Sequence, residues 1–376
     1  MLKIGVIGIG NAGNQVAELA KKVYDIDGIA LNSSDKDVKT ISAVSSLVIG
    51  DEKGAGKDRN IAKSFIQAHI KQLISEPIFA DVVKNNEVVF IVSSTGGGTG
   101  SGMAPVMYDI LGRIFPSKRF ILIGILPPLK ESIAAQQNTI DYLKEMRQSD
   151  PVYKLYDNNN YSNKLINEML QTVNREIVED MVVVRGDYQK TTPFNSIDEK
   201  DMLKLIETTG RLVINRTFGV KEKDIDERDL ETRLIDSIKS SAHAELDRDQ
   251  IIKRLGLIVN LNEKVYKSLD TNIPKVKDLV GEPVEGFEHI YINQSEDETN
   301  RVAVIMSGLS VPDDRIEKIV QRIDEATALL TRTKESSILD VAATDLIDDL
   351  RASDSKKAVD VNEIDLDDVF NLYVKK

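Results

Sequence analysis

The stretch Ser93-Ser94-Thr95-Gly96-Gly97-Gly98-Thr99-Gly100-Ser101-Gly102 decides the fold class of this chain. It follows the β-branched run Val88–Val92 and precedes a helical pattern that we expect to begin near Met103. Five of the seven residues Gly96–Gly102 are glycine, and each glycine loses more backbone freedom on folding than any other residue. A flexible linker could carry them, but a loop that curls backbone N–H groups and hydroxyls around an anion requires them. The stretch therefore predicts a phosphate-binding loop at a helix N-terminus.

A second glycine loop, Gly8-Ile9-Gly10-Asn11-Ala12-Gly13, lies between the strand pattern Lys3–Ile9 and the helical pattern Asn14–Val23. It fits G-x-G-x-x-G, whose most familiar use is dinucleotide binding in dehydrogenases. Such a site needs an acid at the end of the second strand, and here that strand ends Leu31-Asn32-Ser33-Ser34. The nearest acid, Asp35, comes after the strand end, which weakens the oxidoreductase interpretation and leaves it as an alternative.

A Walker A loop is excluded by the residues that follow each glycine cluster. Neither glycine loop contains Gly-Lys-Ser/Thr, and Gly54-Ala55-Gly56-Lys57 is followed by Asp58. The phosphate site therefore belongs to another class of nucleotide-binding protein.

Alternating strand and helix patterns over the first half predict a mostly parallel α/β sheet. The further strand candidates are Gly28–Leu31, Ser46–Ile49, Glu87–Val92 and Phe120–Ile125. Ligands bind such sheets at the carboxyl ends of the strands. We predict that residues 1–161 form this nucleotide-binding domain.

One long helix, Ser162–Val184, is predicted to join this domain to a second one, because its apolar face is broad enough to be covered on two sides. The loop Thr191–Lys200 follows, and residues 162–201 form the connecting unit. Helical patterns to about Arg254 and three strand candidates predict a smaller α+β domain over 202–332. These strands are Gly256–Asn260, Glu288–Asn293 and Val302–Met306, and the helix Asp313–Thr331 follows them.

The last segment, 333–376, is predicted to be a helical extension over Glu335–Leu350 and an acidic tail. Residues Ala358–Phe370 hold five acids and no basic residue, and the chain ends in Lys375-Lys376. A solvated terminus and a docking peptide for a partner are both compatible with this pattern.

The composition narrows the function classes. With 376 residues, 49 Lys+Arg and 61 Asp+Glu, the formal net charge is −12, which argues against direct nucleic-acid binding. No apolar run is long enough for a membrane span, and no signal peptide is visible, so we expect a cytoplasmic protein without membrane contact. The absence of cysteine and the presence of only three histidines disfavour disulfides, thiolate metal sites and a Ser-His-Asp triad.

The stretch Gly96–Gly102 resembles the signature G-G-G-T-G-[ST]-G of the tubulin/FtsZ superfamily of filament-forming GTPases, without a substitution. The resemblance continues in order along the chain. The segment Gly10-Asn11-Ala12-Gly13-Asn14-Gln15 is similar to the first nucleotide loop, Asn32-Ser33-Ser34-Asp35 to the second, and Gly54-Ala55-Gly56 to the third, which senses the γ-phosphate. Pro127-Pro128-Leu129-Lys130-Glu131 resembles the fifth loop, whose Glu contacts the ribose, although the family has Phe where Pro128 stands.

Two carboxamides and one acidic loop complete the resemblance. It implies that Asn158, at a strand end, and Asn167, on the long helix, contact guanine, which a carboxamide can recognise as donor and acceptor. A helix cap and an exposed helix residue are their structural alternatives. The segment Asn195-Ser196-Ile197-Asp198-Glu199-Lys200-Asp201 resembles the catalytic loop N-x-D-x-x-D, with one residue extra after Asn195. An N-terminal helix cap over Met202–Glu207 is the alternative.

The resemblance implies a tubulin/FtsZ fold, GTP or GDP as ligand, Mg²⁺ on the phosphates, and GTP hydrolysis at junctions of a head-to-tail filament. Carboxylates of Asp198 and Asp201 would orient the attacking water in the neighbouring subunit. The extensions after the second domain look more like plasmid- and phage-borne members of the TubZ and PhuZ kind than like FtsZ. Segregation or positioning of DNA through a DNA-binding adaptor is the expected role, and an FtsZ-like division protein is the alternative.

Overall fold

Eleven strands and nine α-helices are found in the described part of the chain, which comprises residues 1–216, 220–221, 241–246, 251–263, 266, 283–293 and 299–335 of the computed structural model. The strands are β1 Ile4–Ile9, β2 Asp27–Asn32, β3 Ser45–Val48, β4 Val88–Ser94, β5 Arg119–Leu126, β6 Val152–Asp157, β7 Gly210–Arg216, β8 Val220–Lys221, β9 Ile252–Asn262, β10 Pro283–Asn293 and β11 Thr299–Leu309. The helices are α1 Gly10–Tyr24, α2 Asp35–Val38, α3 Arg59–Ser75, α4 Pro77–Asn85, α5 Thr99–Ile114, α6 Ile133–Met146, α7 Ile166–Arg185, α8 Glu199–Ile206 and α9 Asp313–Glu335.

All of these strands belong to one sheet. Its order is β10-β9-β11-β7-β6-β5-β4-β1-β2-β3, and β8 pairs with β11. Strands β1 to β7 pair in parallel, as the alternating pattern predicts, whereas β11 runs antiparallel to β7 and β9. Only two residue pairs, Val152↔Gly210 and Tyr153↔Arg211, join β6 to β7. Strands β1 to β6 and the remaining strands therefore meet in a short seam of the sheet.

The central parallel strands β1, β4 and β5 are buried on both faces along almost their whole length, which explains their largely apolar sequences. In β1, Ile7 packs in the core formed with α3 and α5, whereas Val6 packs in the core formed with α1 and α7. Helix α7 runs from Ile166 to Arg185, and its residues Ile177 and Met181 are buried in the second core. The apolar face of this helix is therefore buried, and its place between two domains stays a prediction.

Two helices begin earlier than predicted. Helix α1 starts at Gly10 rather than Asn14, and α5 starts at Thr99 rather than Met103. The last residues of each glycine loop, Gly10–Gly13 and Thr99–Gly102, thus form the first turn of a helix, which places backbone N–H groups close to the strand ends.

The helical prediction for the region from the loop after α7 to Arg254 is wrong in two places. Strand β7 occupies Gly210–Arg216, and β9 already begins at Ile252. The sequence of β7 does not alternate regularly between polar and apolar residues, because the strand is buried along nearly its whole length, including Arg211 and Arg216. Its polar residues therefore resemble the exposed face of a helix. The extension Glu335–Leu350 beyond its first residue, and the tail Ala358–Phe370, lie outside the described residues.

Candidate functional site

The glycines of the first loop allow close contact between α1 and the neighbouring strands. A Cβ on Gly13 would lie 2.0 Å from the carbonyl oxygen of Val92 in β4, and one on Gly8 would lie 2.4 Å from the oxygen of Gly13. Gly10 has φ +72, and its missing Cβ would lie 3.1 Å from the backbone nitrogen of Gly100. The two glycine loops, far apart in sequence, therefore touch at the carboxyl edge of the sheet.

The glycine-rich loop after β4 has one open position. A Cβ on Gly98, Gly100 or Gly102 would lie within 3.0 Å of another backbone atom, whereas one on Gly97 would meet nothing within 4 Å. The Ser101 hydroxyl donates to the Gly97 carbonyl oxygen, which fixes the turn. The loop is thus a tightly packed cradle with one open face above the first turn of α5, and this arrangement fits a phosphate group.

The second and third predicted loops border the cradle. The Ser33 hydroxyl lies 2.7 Å from the Thr99 hydroxyl, and the backbone N–H of Gly54 donates to the Ser33 carbonyl oxygen at 2.9 Å. The buried Asn32 side chain accepts from the N–H groups of Ser33 and Ser34, so it shapes this turn. Its contact with nucleotide stays a prediction. Sequence reasoning did not single out Ser33.

Asn138 on α6 joins the third loop to the glycine-rich loop. Its amide nitrogen donates to the carbonyl oxygen of Lys57 at 3.0 Å and lies 3.3 Å from the oxygens of Gly96 and Gly97. Ala55 is buried, while a Cβ on Gly56 would meet nothing within 4 Å. One buried carboxamide thus holds both loops around the same open space.

The loop after β5 is held by Arg315, a residue that is distant in sequence. Arg315 on α9 donates to the Asp157 carboxylate at 2.5 and 3.1 Å and to the Pro127 carbonyl oxygen at 2.8 Å. Both ionic side chains are almost fully buried. Pro127 also touches the cradle, since a Cβ on Gly96 would lie 3.2 Å from its ring. The role of Arg315 could not be predicted from the sequence, because its partner Asp157 is 158 residues away.

The predicted guanine and ribose contacts differ in exposure. Asn158 is buried and its Oδ1 has no hydrogen-bond partner, whereas Asn167 and Glu131 are exposed. On α1, the Gln15 amide donates to the Oδ1 of Asn11 at 3.3 Å, and Ala12 is half-buried. A buried acceptor without a partner fits a site that takes an N–H donor from a ligand. These contacts with a base or ribose remain predictions.

The acidic loop forms the start of α8. Asp198 accepts from the N–H of Asp201 at 2.9 Å, and Asp201 accepts from the N–H of Asp198 at 3.3 Å, which is a reciprocal capping box. Asn195 donates to Glu288 of β10 at 3.3 Å and accepts from the N–H of Ile290 at 3.0 Å. The capping alternative is therefore realised in the structure. Both carboxylate side chains belong to a polar, accessible loop, so capping does not preclude a second role.

The acidic loop and the phosphate cradle lie at opposite edges of the sheet. The amino group of Met1, just before β1, contacts the Glu199 carboxylate at 2.8 Å, and the N–H of Leu2 donates to the Arg185 carbonyl oxygen at 3.1 Å. Gly10 follows the other end of β1. The 20 residues of α7 span about 30 Å at about 1.5 Å per residue. One chain therefore cannot bring Asp198 or Asp201 to its own cradle.

A buried cluster of charged groups connects α7 to the strands around it. The Asp180 carboxylate contacts the Tyr156 hydroxyl at 2.6 Å, His243 Nε2 at 2.9 Å and Lys154 Nζ at 3.2 Å. Burial alone would raise the pKa of Asp180, but Lys154, Arg216 and His243 together hold it well below its usual range. Burial and the nearby Lys154 cation lower the pKa of His243.

Comparison with known proteins agrees with this geometry. Residues 3–165 match the Tubulin/FtsZ family, GTPase domain. This part of the chain is therefore a GTPase domain of the tubulin/FtsZ family, and the chain has the tubulin/FtsZ fold.

Among the relatives, the tubulin-like protein TubZ of Clostridium botulinum C phage is 23% identical in an alignment that covers 99% of each chain. The crystal structure of Clostridium botulinum phage c-st TubZ has a TM-score of 0.69 at 20% identity, with 87% of this chain and 99% of that one covered. A GTPγS-form protofilament of Bacillus thuringiensis serovar israelensis TubZ has a TM-score of 0.72 at 15% identity, with 89% and 95% covered.

Two features are absent from the described residues. No helix there is long and apolar enough to cross a membrane. No group of three or more His, Asp or Glu side chains in the same part of the chain could hold a metal ion.

Proposed function

We propose that the protein is a GTP-dependent, filament-forming GTPase that polymerises head to tail and hydrolyses GTP at each junction between subunits. The separation of the acidic loop from the phosphate cradle, at opposite edges of one sheet, carries this proposal. A head-to-tail neighbour would bring Asp198 and Asp201 of one subunit to the cradle of the next. The protofilament form of the Bacillus thuringiensis TubZ structure supports the same assembly.

In this mechanism, the chain acts mainly by positioning. Backbone N–H groups at the start of α5 would hold the phosphates, and the Asn158 and Asn167 carboxamides would face the base. A carboxylate of the acidic loop would accept a hydrogen bond from the attacking water and orient it in line with the γ-phosphate, which is the form of catalysis that phosphoryl transfer requires.

Mg²⁺ would be held mostly by the phosphates themselves. Oxygen ligands suit this cation, and the adjacent hydroxyls of Ser33 and Thr99 are the protein oxygens best placed beside the cradle. When bound, Mg²⁺ neutralises charge that develops on the phosphate oxygens.

The cellular role that we propose is segregation or positioning of plasmid or phage DNA in the cytoplasm. Similarity to a phage TubZ over the whole chain supports this role, and the net charge of −12 favours a basic DNA-binding adaptor over direct DNA contact. The FtsZ-like division role is the alternative, and a search for the partner that co-purifies with the filaments would separate the two.

The test of the filament proposal is GTP turnover per subunit as a function of protein concentration, with pelleting of the same samples. Turnover should appear only above a threshold concentration, and polymer should pellet from the same threshold. Turnover per subunit that is constant at every concentration would mean that the site is complete within one chain, and the proposal would then be wrong.

A further inference from the structure

The first turn of α9 reaches the strand ends that carry the predicted guanosine contacts. Arg315, in this turn, lies far beyond residues 3–165, the part of the chain that matches the GTPase domain. Its guanidinium contacts that part at Pro127, just after β5, and at Asp157, the last residue of β6. We propose that Arg315 is a positioning residue for the guanosine end of the nucleotide, and that it acts on nucleotide affinity and not on the hydrolytic step. This assignment rests on the proposed function, because it assumes that the site takes a guanine nucleotide.

The guanidinium sets the spacing of two neighbouring strand ends. Nε of Arg315 lies 2.5 Å from Oδ2 of Asp157, and Nη2 lies 3.1 Å from Oδ1 of the same carboxylate and 2.8 Å from the carbonyl oxygen of Pro127. The planar fork of an arginine fixes its acceptors relative to one another. The side chains of Arg315 and Asp157 are each 3% exposed, so water has little access to replace these contacts.

Both strand ends lead directly into predicted nucleotide contacts. Asp157 precedes Asn158, the predicted guanine contact, and Pro127 begins the loop that is predicted to contact the ribose. A further hydrogen bond joins the same two segments, because the N–H of Leu129 donates to Oδ1 of Asn159 at 3.1 Å. A shift of one strand end against the other would therefore change the distance between the base contact and the ribose contact.

Two buried polar atoms at these strand ends have no hydrogen-bond partner among the described residues. They are Nη1 of Arg315, which is a donor, and Oδ1 of Asn158, which is an acceptor. Buried polar groups are normally paired. An acceptor such as the Asn158 oxygen fits a ligand with N–H donors, and the N2 amino group of guanine is one. The polar groups around Arg315 thus indicate a ligand at this end of the site.

The start of α9 gives Arg315 a rigid support. Val311 is buried in the core formed with α3 and α5, and Ile316 packs against the same core. The N–H groups of Arg315 and Ile316 donate to the carbonyl oxygen of Pro312 at 3.1 and 3.0 Å. Because the first turn is anchored in this way, the guanidinium can hold the two strand ends rather than follow them.

The expected effect is on binding because the guanosine end does not take part in the reaction. Charge develops on the phosphate oxygens during hydrolysis, so contacts with base and ribose are equal in the ground state and the transition state. Loss of such contacts raises KM and leaves kcat unchanged. The phosphate cradle has a separate support, since Asn138 contacts the carbonyl oxygens of Gly96 and Gly97.

The experiment measures the affinities of full-length variants for GTP, GDP and inorganic tripolyphosphate below the assembly threshold, by competition with a fluorescent guanine nucleotide. KM and kcat of GTP turnover are measured well above the threshold. Arg315→Met removes all three contacts, and its GTP and GDP affinities should both fall by about tenfold, the size of one hydrogen bond. Its KM should rise by the same factor, while its kcat and its tripolyphosphate affinity stay unchanged. Arg315→Lys keeps a cation beside Asp157 and should recover part of the loss.

A double variant separates this role from a purely structural one. Arg315→Met leaves the buried Asp157 carboxylate unpaired, which destabilises the fold, whereas Asp157→Asn in the same chain removes that charge. The double variant should therefore be more stable than Arg315→Met in urea denaturation. It should still bind GTP weakly, because Pro127 has lost its donor in both. Recovery of wild-type GTP affinity in the double variant would mean that Arg315 only stabilises the fold, and would overturn the proposal.

Arg322→Met is the matched control, because Arg322 lies on the same helix, is 44% exposed and forms an ion pair with Glu325 at 3.9 Å. It removes the same charge and should leave every measured value unchanged. Wild-type GTP affinity in Arg315→Met would overturn the proposal, as would an equal loss of GTP and tripolyphosphate affinity or a fall in kcat without a rise in KM. These outcomes leave the proposed function standing. If the wild-type protein binds neither GTP nor GDP, the proposed function itself fails, and the Arg315 assignment fails with it.

Discussion

The Asn138 side-chain amide donates to the Lys57 carbonyl oxygen at 3.0 Å and lies 3.3 Å from the carbonyl oxygens of Gly96 and Gly97, so one side chain joins the third loop to the glycine-rich loop. Asn138 is 9% exposed, so its amide has little access to water. The geometry of the cradle therefore depends on a residue of α6 that would not itself touch the nucleotide.

Replacement of Asn138 by alanine should lower nucleotide affinity and stability together. The Lys57, Gly96 and Gly97 carbonyl oxygens would lose a buried donor, which costs about 1–3 kcal/mol in the free energy of unfolding. Urea denaturation and nucleotide titration measure the two effects. Gln137→Ala is the control, because Gln137 is exposed on the same helix and donates only to Asp141. An Asn138→Ala protein with wild-type nucleotide affinity would show that the loops keep their positions without this amide.

The strands, helices and glycine loops of the first half of the chain could be predicted from the sequence, because each is marked by residues that are close together in the chain. The glycine loops lie between a buried strand and a helix, so Gly10 and Gly97 could be assigned to strand ends from their neighbours alone. Asn138 and Arg315 could not be found in this way, since each acts on residues that only the folded chain brings close. β7 was missed because the buried Arg211 and Arg216 find partners in the loop Ser241–Leu246 and on α7, which no pattern within the strand reveals.

Phe194 is a position that we predict to affect assembly. It is 54% exposed and directly precedes Asn195 in the acidic loop. If this edge meets the cradle edge of a neighbour, burial of the ring would favour association. Phe194→Ser should therefore raise the threshold concentration for pelleting several-fold and leave GTP binding unchanged.

Val320→Ser is the control for Phe194. Val320 is 40% exposed on α9, a helix that contacts α6. Its replacement removes an exposed apolar group that is not part of the acidic loop. Equal thresholds for wild-type protein and Phe194→Ser would show that the ring does not lie in the junction.

His243 should make the protein less stable at mildly acidic pH. Its Nε2–H lies 2.7 Å from the Ile214 carbonyl oxygen and 2.9 Å from Asp180, while its Nδ1 is buried without a hydrogen-bond partner. A second proton would therefore have no acceptor, and Lys154 lies close enough to oppose the added charge. The pKa of His243 is thus lower in the folded than in the unfolded chain, where it is about 6.5.

The sign of the effect follows from proton uptake. Below about pH 6.5 the unfolded chain binds a proton that the folded chain does not, so the free energy of unfolding falls by up to about 1.4 kcal/mol per pH unit for each such histidine. Burial also lowers the pKa of His289, so this residue acts in the same direction. Urea denaturation at several pH values between 7.5 and 5.5 gives the slope of the free energy of unfolding against pH. This slope should be smaller in His243→Gln than in the wild-type protein, and smaller still when His289→Gln is added. A slope identical to that of the wild-type protein in the double variant would contradict the assignment.

Substitution by asparagine can separate the proposed catalytic role of Asp198 and Asp201 from their capping role. Asparagine keeps an acceptor for the capping hydrogen bonds and removes the charge that would orient water. We therefore expect Asp198→Asn and Asp201→Asn to keep GTP binding and wild-type stability, to lose turnover at one or both positions, and to give longer-lived polymers. Loss of GTP binding in both variants would contradict the catalytic assignment.

Complementation between two inactive variants tests whether catalysis occurs between subunits. The double variant Asp198→Asn, Asp201→Asn has an intact cradle, whereas Gly98→Ala has an intact acidic loop and a cradle in which the new Cβ would lie 2.9–3.0 Å from the Lys57 backbone. Each alone should turn over little GTP. In a mixture, the acidic loop of a Gly98→Ala subunit can meet the nucleotide of the other variant, so turnover should rise above the sum of the separate samples. A mixture that only equals that sum, while pelleting shows that both variants enter the same polymer, would mean that the acidic loop does not act on the neighbouring subunit.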